Sequence, residues 1–149
     1  MSESGSKPAG KAPWHLWVTG VAGLLWNSMG ALDYVMTATR NVSYMSSFTP
    51  EQLAFFYSLP AWTLVTWALG VWGGVAGAIL LLLRKGIAVW VFLVSLLGML
   101  LTTLHNYFLS NAMEVIGDPF SLLFTLFIFL IALGLFLYSR AMLARKVIV

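Results

Sequence analysis

The sequence predicts an all-α fold: an integral membrane four-helix bundle with both termini on one side and a short interfacial helix in the first loop on the other. Three observations carry this expectation. Apolar residues make up 60% of the 149 positions and charged residues 9%, a balance foreign to water-soluble domains and suited to lipid. The apolar residues fall into four continuous blocks, 14–35, 61–83, 87–109 and 120–139. Each is long enough to cross a hydrocarbon core of about 30 Å, which takes about 20 residues of helix, and none alternates apolar with polar as a β-barrel strand would. Seven of the eight basic residues, Lys7, Lys11, Arg84, Lys85, Arg140, Arg145 and Lys146, fall on one side of these blocks. Arg40 alone lies in the opposite loops, with Glu51, Glu114 and Asp118. The positive-inside rule then places both termini and the Arg84-Lys85 turn in the cytoplasm.

Residues 1–13 are rich in Ser, Gly, Lys and Pro without apolar periodicity, which predicts a disordered cytoplasmic tail. The first block is too long, and its lead too weakly basic, for a cleaved signal peptide, so it reads as an uncleaved anchor. Its small and polar residues, Gly20, Gly23, Asn27, Gly30 and Tyr34, form a stripe that should face protein. Asp33 is the only acidic residue inside the four blocks.

The loop 36–60 contains Thr49-Pro50-Glu51-Gln52, a helix start with a Thr N-cap, Pro at the first helical position and Gln at the capping-box position. A two-turn helix should follow, lying in the outer interface with Leu53, Phe56 and Tyr57 on one face, as a lid seated on the bundle or as a gate. Asn41-Val42-Ser43 fits the glycosylation pattern, which has meaning only in a secretory-pathway host. In the second block Gly70, Gly74 and Gly77 share a narrow arc, with Gly73 beside them. Such a face packs helices closely, either within the bundle or in a homo-oligomer. Only Arg84, Lys85 and Gly86 join the second and third blocks, which forces an antiparallel hairpin. The third block carries its own stripe, Ser95, Gly98, Thr102, His105 and Asn106, and residues 140–149 read as a basic cytoplasmic tail.

At 1.5 Å per residue Asp33 lies about 28 Å from Trp14, and His105 about 27 Å from the start of its own helix. The matching depths make Asn27, Asp33, Tyr34, Arg40, His105 and Asn106 a candidate polar cluster near the outer interface. A carboxylate held there needs a cation, hydrogen-bond donors or water, and either His105 or Arg40 is its expected partner. The cluster serves either as structural pairing at the interface or as a binding site.

Other chemistries are disfavoured by what the chain contains. Cysteine is absent, which removes disulfides, thiolate metal sites and a catalytic cysteine. His15 and His105 sit at opposite ends of the membrane, so they do not share one haem. No Lys lies deep in a block to hold retinal, and no phosphate loop, catalytic triad or carboxylate cluster appears. No catalytic residue, metal or cofactor is therefore expected. The sequence pI of 9.5 reflects orientation and attraction to anionic headgroups, so the expected partner is the lipid bilayer and not nucleic acid.

The runs 25–34, beginning Leu25-Trp26-Asn27 and ending Asp33-Tyr34, then Thr37 to Arg40, Tyr44, Phe48 to Leu53, Pro60-Ala61-Trp62 and Ala68 to Gly74, resemble a family of small uncharacterised bacterial four-helix inner-membrane proteins often labelled "sugar transporter". The resemblance covers 17–110, with W-N-x-x-G-x-x-D-Y as its most specific pattern. It implies a bacterial inner membrane and a role in transport. Two functions follow as expectations. One is a component that carries a small polar solute, a sugar included, acting as an oligomer because four helices without an internal repeat leave little room for alternating access. The other is a non-catalytic accessory or assembly subunit packed through the glycine face. A membrane enzyme acting on a lipid or quinone lacks a nucleophile or metal set.

Overall fold

The computed structural model describes residues 10–109 and 118–149, and among these every regular element is a helix. In chain order they are α1 (Trp14–Ala38), α2 (Val42–Met45), α3 (Pro50–Tyr57), α4 (Ala61–Leu82), α5 (Ala88–Leu104) and α6 (Pro119–Ala144). The last turn of α5 widens into a π-helical turn over His105–Leu109. Lys7 and Glu114 lie outside the described residues, as does most of the expected N-terminal tail. Three helices are long and apolar enough to cross a membrane: α4, α5 with its π turn, and α6. The 25-residue α1 matches them in length but is less apolar, because His15, Asn27 and Asp33 interrupt it.

Helix α4 is the hub, packed on α1 on one side and on α5 on the other, with α6 completing the bundle against α5. Glycine makes the approach possible. A Cβ placed on Gly98 would lie 2.6 Å from the Thr66 carbonyl oxygen and 2.9 Å from the Gly70 nitrogen, so α4 and α5 cross backbone to backbone. Gly77 receives the Phe92 ring, and Gly73 lies against Ser95. Gly74 faces the other way, where a Cβ would run into the side-chain amide of Asn27. The glycine face is thus consumed inside the chain, by α5 and α1 together. Three seam hydroxyls find acceptors, as an apolar surrounding demands, whereas Thr63 Oγ1 is buried without a hydrogen-bond partner. Ser95 Oγ donates to the Gly70 carbonyl, Thr102 Oγ1 donates to Gly98 O at 2.8 Å, and Thr66 and Thr102 share a 2.9 Å hydrogen bond.

The apolar core gathers at the basic end, where Leu16, Leu81, Ala88 and Ile148 are fully buried with Phe92, Leu135 and Met142. The expected tail at 140–149 is part of this core. Helix α6 runs on to Ala144, and Lys146, with φ 58°, turns the chain back. Val147 and Ile148 bury against the core while Gly86 N–H donates to Val149 O at 3.0 Å and Val149 N–H donates to Arg84 O at 3.2 Å. Arg84 closes the arrangement by donating to Val147 O at 2.9 Å and to Gly10 O at 3.1 Å. Basic composition alone suggests a tail; Val147 and Ile148, two of the three apolar residues after Lys146, supply the burial that folds it in. The same holds for residues 10–13, where Ala12 packs on the core.

Candidate functional site: a crevice at Asp33

Away from the basic end the bundle is not filled. Two adjoining chambers, of about 370 Å³ and about 310 Å³, share Asp33, Trp67, Met99, Phe124 and Ile128 as common wall. They form one partly open crevice among α1, α4, α5 and α6, with Asp33 at the junction. The first chamber reaches inward to Asn27, Ser95 and Ala132. The second runs toward Asn106, Thr102 and Thr103 of α5 and its π turn, with Gln52 and Phe56 of α3 on its far side.

Helical spacing explains the α1 wall. Trp26, Gly30 and Asp33 recur at four and three residues and present one face to the chamber. Tyr34 is not a lining residue and stands behind the wall, meeting the Trp67 ring edge-on at 4.9 Å. Helix α3 forms as expected, with both halves of the capping box present: Gln52 N–H donates to Thr49 Oγ1 at 3.2 Å, and Thr49 N–H donates to Gln52 Oε1 at 3.0 Å. Its inward face differs from expectation. Phe55 is the buried residue and Gln52, Phe56 and Leu59 line the crevice, whereas Tyr57 turns to Arg40. The cap fixes where the helix starts, but the reversal at Arg40 sets which side rests on the bundle.

Asp33 has a partner that neither expected pairing supplied. The Tyr44 hydroxyl donates to Asp33 Oδ1. Arg40, with φ 55°, sits at the end of α1 and sends the chain back over it. Asn41 then caps α2 by accepting from Tyr44 N–H at 2.9 Å, which sets Tyr44 above the crevice. Burial, with the hydrogen bond and charge of Asp33, pushes the Tyr44 phenol up to about 12, so it remains a proton donor. The Arg40 guanidinium lies 4.3 Å from the Tyr57 ring centre and 3.5 Å from the Tyr57 carbonyl oxygen. His105 is buried edge-on against Trp62 at 5.2 Å, with Nδ1 3.2 Å from Asn106 Oδ1.

Of the six candidates, the structure brings Asn27, Asp33 and Asn106 to the crevice and leaves Tyr34, Arg40 and His105 off its walls. Asn27 is fixed by its own helix, its Nδ2 donating to Gly23 O at 2.7 Å. The residues that sequence reasoning missed are Tyr44, Trp67, Ser95 and Phe124. Only the meeting of four helices turns the aromatic ones into walls. Among the described residues no group of three His, Cys, Asp or Glu side chains is placed to hold a metal ion.

The fold and crevice define a class: an all-helical protein with membrane-length apolar helices and an acid-bearing, aromatic-walled internal chamber. No protein-family model matches the chain, and no curated protein or solved structure is found similar to it. Its function is therefore argued from the crevice itself.

Proposed function

We propose that the chain is an integral protein of a bacterial inner membrane with four spans, α1 counted beside α4, α5 and α6, and with its basic end in the cytoplasm. It binds a small solute in the Asp33 crevice as a component of transport. The observation that carries this reading is the pair of chambers meeting at Asp33 in the half of the bundle away from the basic residues. Chambers of about 300–1,000 Å³ with mostly apolar walls and a few convergent polar groups are the usual form of small-molecule sites. Asn27, Asp33, Gln52 and Asn106 supply those polar groups, and Trp26, Trp67 and Phe124 supply flat apolar surface, a mixture that suits sugar-sized solutes. The basic end supports the orientation through the positive-inside rule. Helix α6 has only 6% of its most apolar stretch buried, which leaves a broad face for lipid or for a second copy. That face also favours the competing reading, an accessory subunit that docks through α6.

Ligand binding by protein reconstituted in nanodiscs tests the proposal. A panel of sugars, amines and small aromatic solutes is screened by thermal shift. Replacing Ala132, which lines the first chamber, with Trp should remove the stabilisation by any hit while the protein stays folded. A hit unaffected by Ala132→Trp, or a panel with no hit, contradicts the reading.

A further inference from the structure

We infer that the crevice selects a small monovalent organic cation with an aromatic or quaternary ammonium head, a reading that rests on the solute-binding role proposed above and narrows it. The first ground is a missing counter-charge. Arg40 is the only Lys or Arg between positions 12 and 83, and none occurs between 86 and 139. Arg40 lies over the Tyr57 ring, and among the described residues no Lys, Arg or His lines either chamber. Among the described residues, Asp33 therefore has a phenol as its partner in the crevice and no cation. A carboxylate in a largely apolar chamber is stabilised by an opposite charge more strongly than by neutral donors.

The second ground is the ring system around it. Trp26 from α1, Trp67 from α4 and Phe124 from α6 line the first chamber with Asp33, and Tyr44 closes it from α2. Trp26 and Phe124 lie 5.8 Å apart, centre to centre. Aromatic faces attract ammonium groups through their quadrupoles, and the attraction grows when water is excluded. A neutral polyol would gain hydrogen bonds at Asp33 and Asn27 but would leave the charge uncompensated. An anion would face the carboxylate directly. A cation with a flat or bulky apolar head satisfies both the charge and the rings.

Calorimetric titration of the intact protein in nanodiscs of zwitterionic phosphatidylcholine separates these cases, with benzyltrimethylammonium and glucose as probes. The expected result is saturable binding of benzyltrimethylammonium, weakened at least about tenfold by Asp33→Asn and kept by Asp33→Glu, as a charge-assisted contact requires. Tyr44→Phe keeps the ring and removes only the phenolic donor that competes for Asp33, so it should tighten cation binding. This variant keeps the test open should Asp33→Asn fail to fold. Folded Asp33→Asn binding the cation as well as the parent overturns the proposal, and so does loss of cation binding in Tyr44→Phe. Glucose binding without cation binding overturns it too, while leaving the solute-binding role standing. If neither probe binds and the wider solute panel also fails, both readings fall.

Discussion

At the basic end, Leu16, Leu81, Ala88 and Ile148 have no exposed surface, and Arg84 ties residues near both ends of the described chain to the α4–α5 turn. A hydrogen bond between His15 Nδ1 and the Tyr138 hydroxyl joins α1 to α6 there. At the opposite end the same four helices enclose chambers, the interior groups are an acid, amides and hydroxyls, and the cover is two short helices. One half carries the stability and the other keeps unfilled volume and an ionisable group. Such a division is what a binding protein needs, because a site that must admit a solute cannot also be close-packed.

Substitutions can break or sharpen this contrast. The largest effect is expected at the glycine crossing that both halves share. Gly98→Leu would drive a side chain into the backbone of α4, so loss of folded protein, or destabilisation of at least about 3 kcal/mol, should appear in detergent melting. Gly74→Ala should destabilise less, and Asn27→Ala in the same chain should relieve it, since the Asn27 amide is what the new methyl would meet. Next comes the core of the basic end. Ile148→Ala should cost about 2–4 kcal/mol as a buried aliphatic truncation, whereas Phe56→Ala, on the crevice wall, should cost less than about 1 kcal/mol because part of its surroundings is already empty. Equal losses at the two positions would erase the distinction between the ends.

Alkaline titration gives a smaller effect with a definite sign. The Tyr44 phenol is raised from 10.0 to about 12, so the native state holds that proton more tightly than the unfolded chain. The associated stability is fully present below pH 10.0 and is lost as pH rises toward about 12. Tyr44→Phe should flatten the stability curve in that window, and absorbance of the phenolate should show one late-titrating tyrosine disappear. The smallest expected effect is local. Thr49→Ala removes one bond of the capping box and should cost α3 about 1 kcal/mol. Hydrogen exchange should quicken in 50–57 while the global melting temperature stays unchanged, because α3 covers the crevice and is not part of the core.

What could be read from sequence follows from how local each cause is. The start of α3 was legible because Thr49 and Gln52 complete their cap within four residues. The glycine face of α4 was legible as a face, and the short 84–86 turn pairs it with the helix of Phe92 and Ser95, but nothing in the sequence brings Asn27 of α1 to Gly74. Asp33 stood out as an acid in an apolar block, but its partner did not. Tyr44 reaches it only because Arg40 takes a left-handed backbone conformation, which few non-glycine residues adopt and no pattern announces. The closing segment was missed for a similar reason: Val147, Ile148 and Val149 are too few to read as an element, and their role depends on meeting Arg84 and Gly86 some sixty residues earlier.

The central claim, that the end away from the basic residues holds an accessible, negatively charged crevice while the basic end is sealed, is tested most directly by thiol accessibility. The chain has no cysteine of its own, so Met99→Cys in the crevice wall and Leu81→Cys in the core can each be labelled alone. The reagents are a cationic trimethylammonium-ethyl methanethiosulfonate and its anionic sulfonatoethyl counterpart, with Trp14→Cys at an exposed position as the reference for intrinsic reactivity. The expected result is labelling of Met99→Cys with a cation-over-anion preference greater than the reference shows, reduced to the reference value by Asp33→Asn, and no labelling of Leu81→Cys. Equal protection of both positions, or a preference at Met99→Cys that ignores Asp33→Asn, would contradict the account.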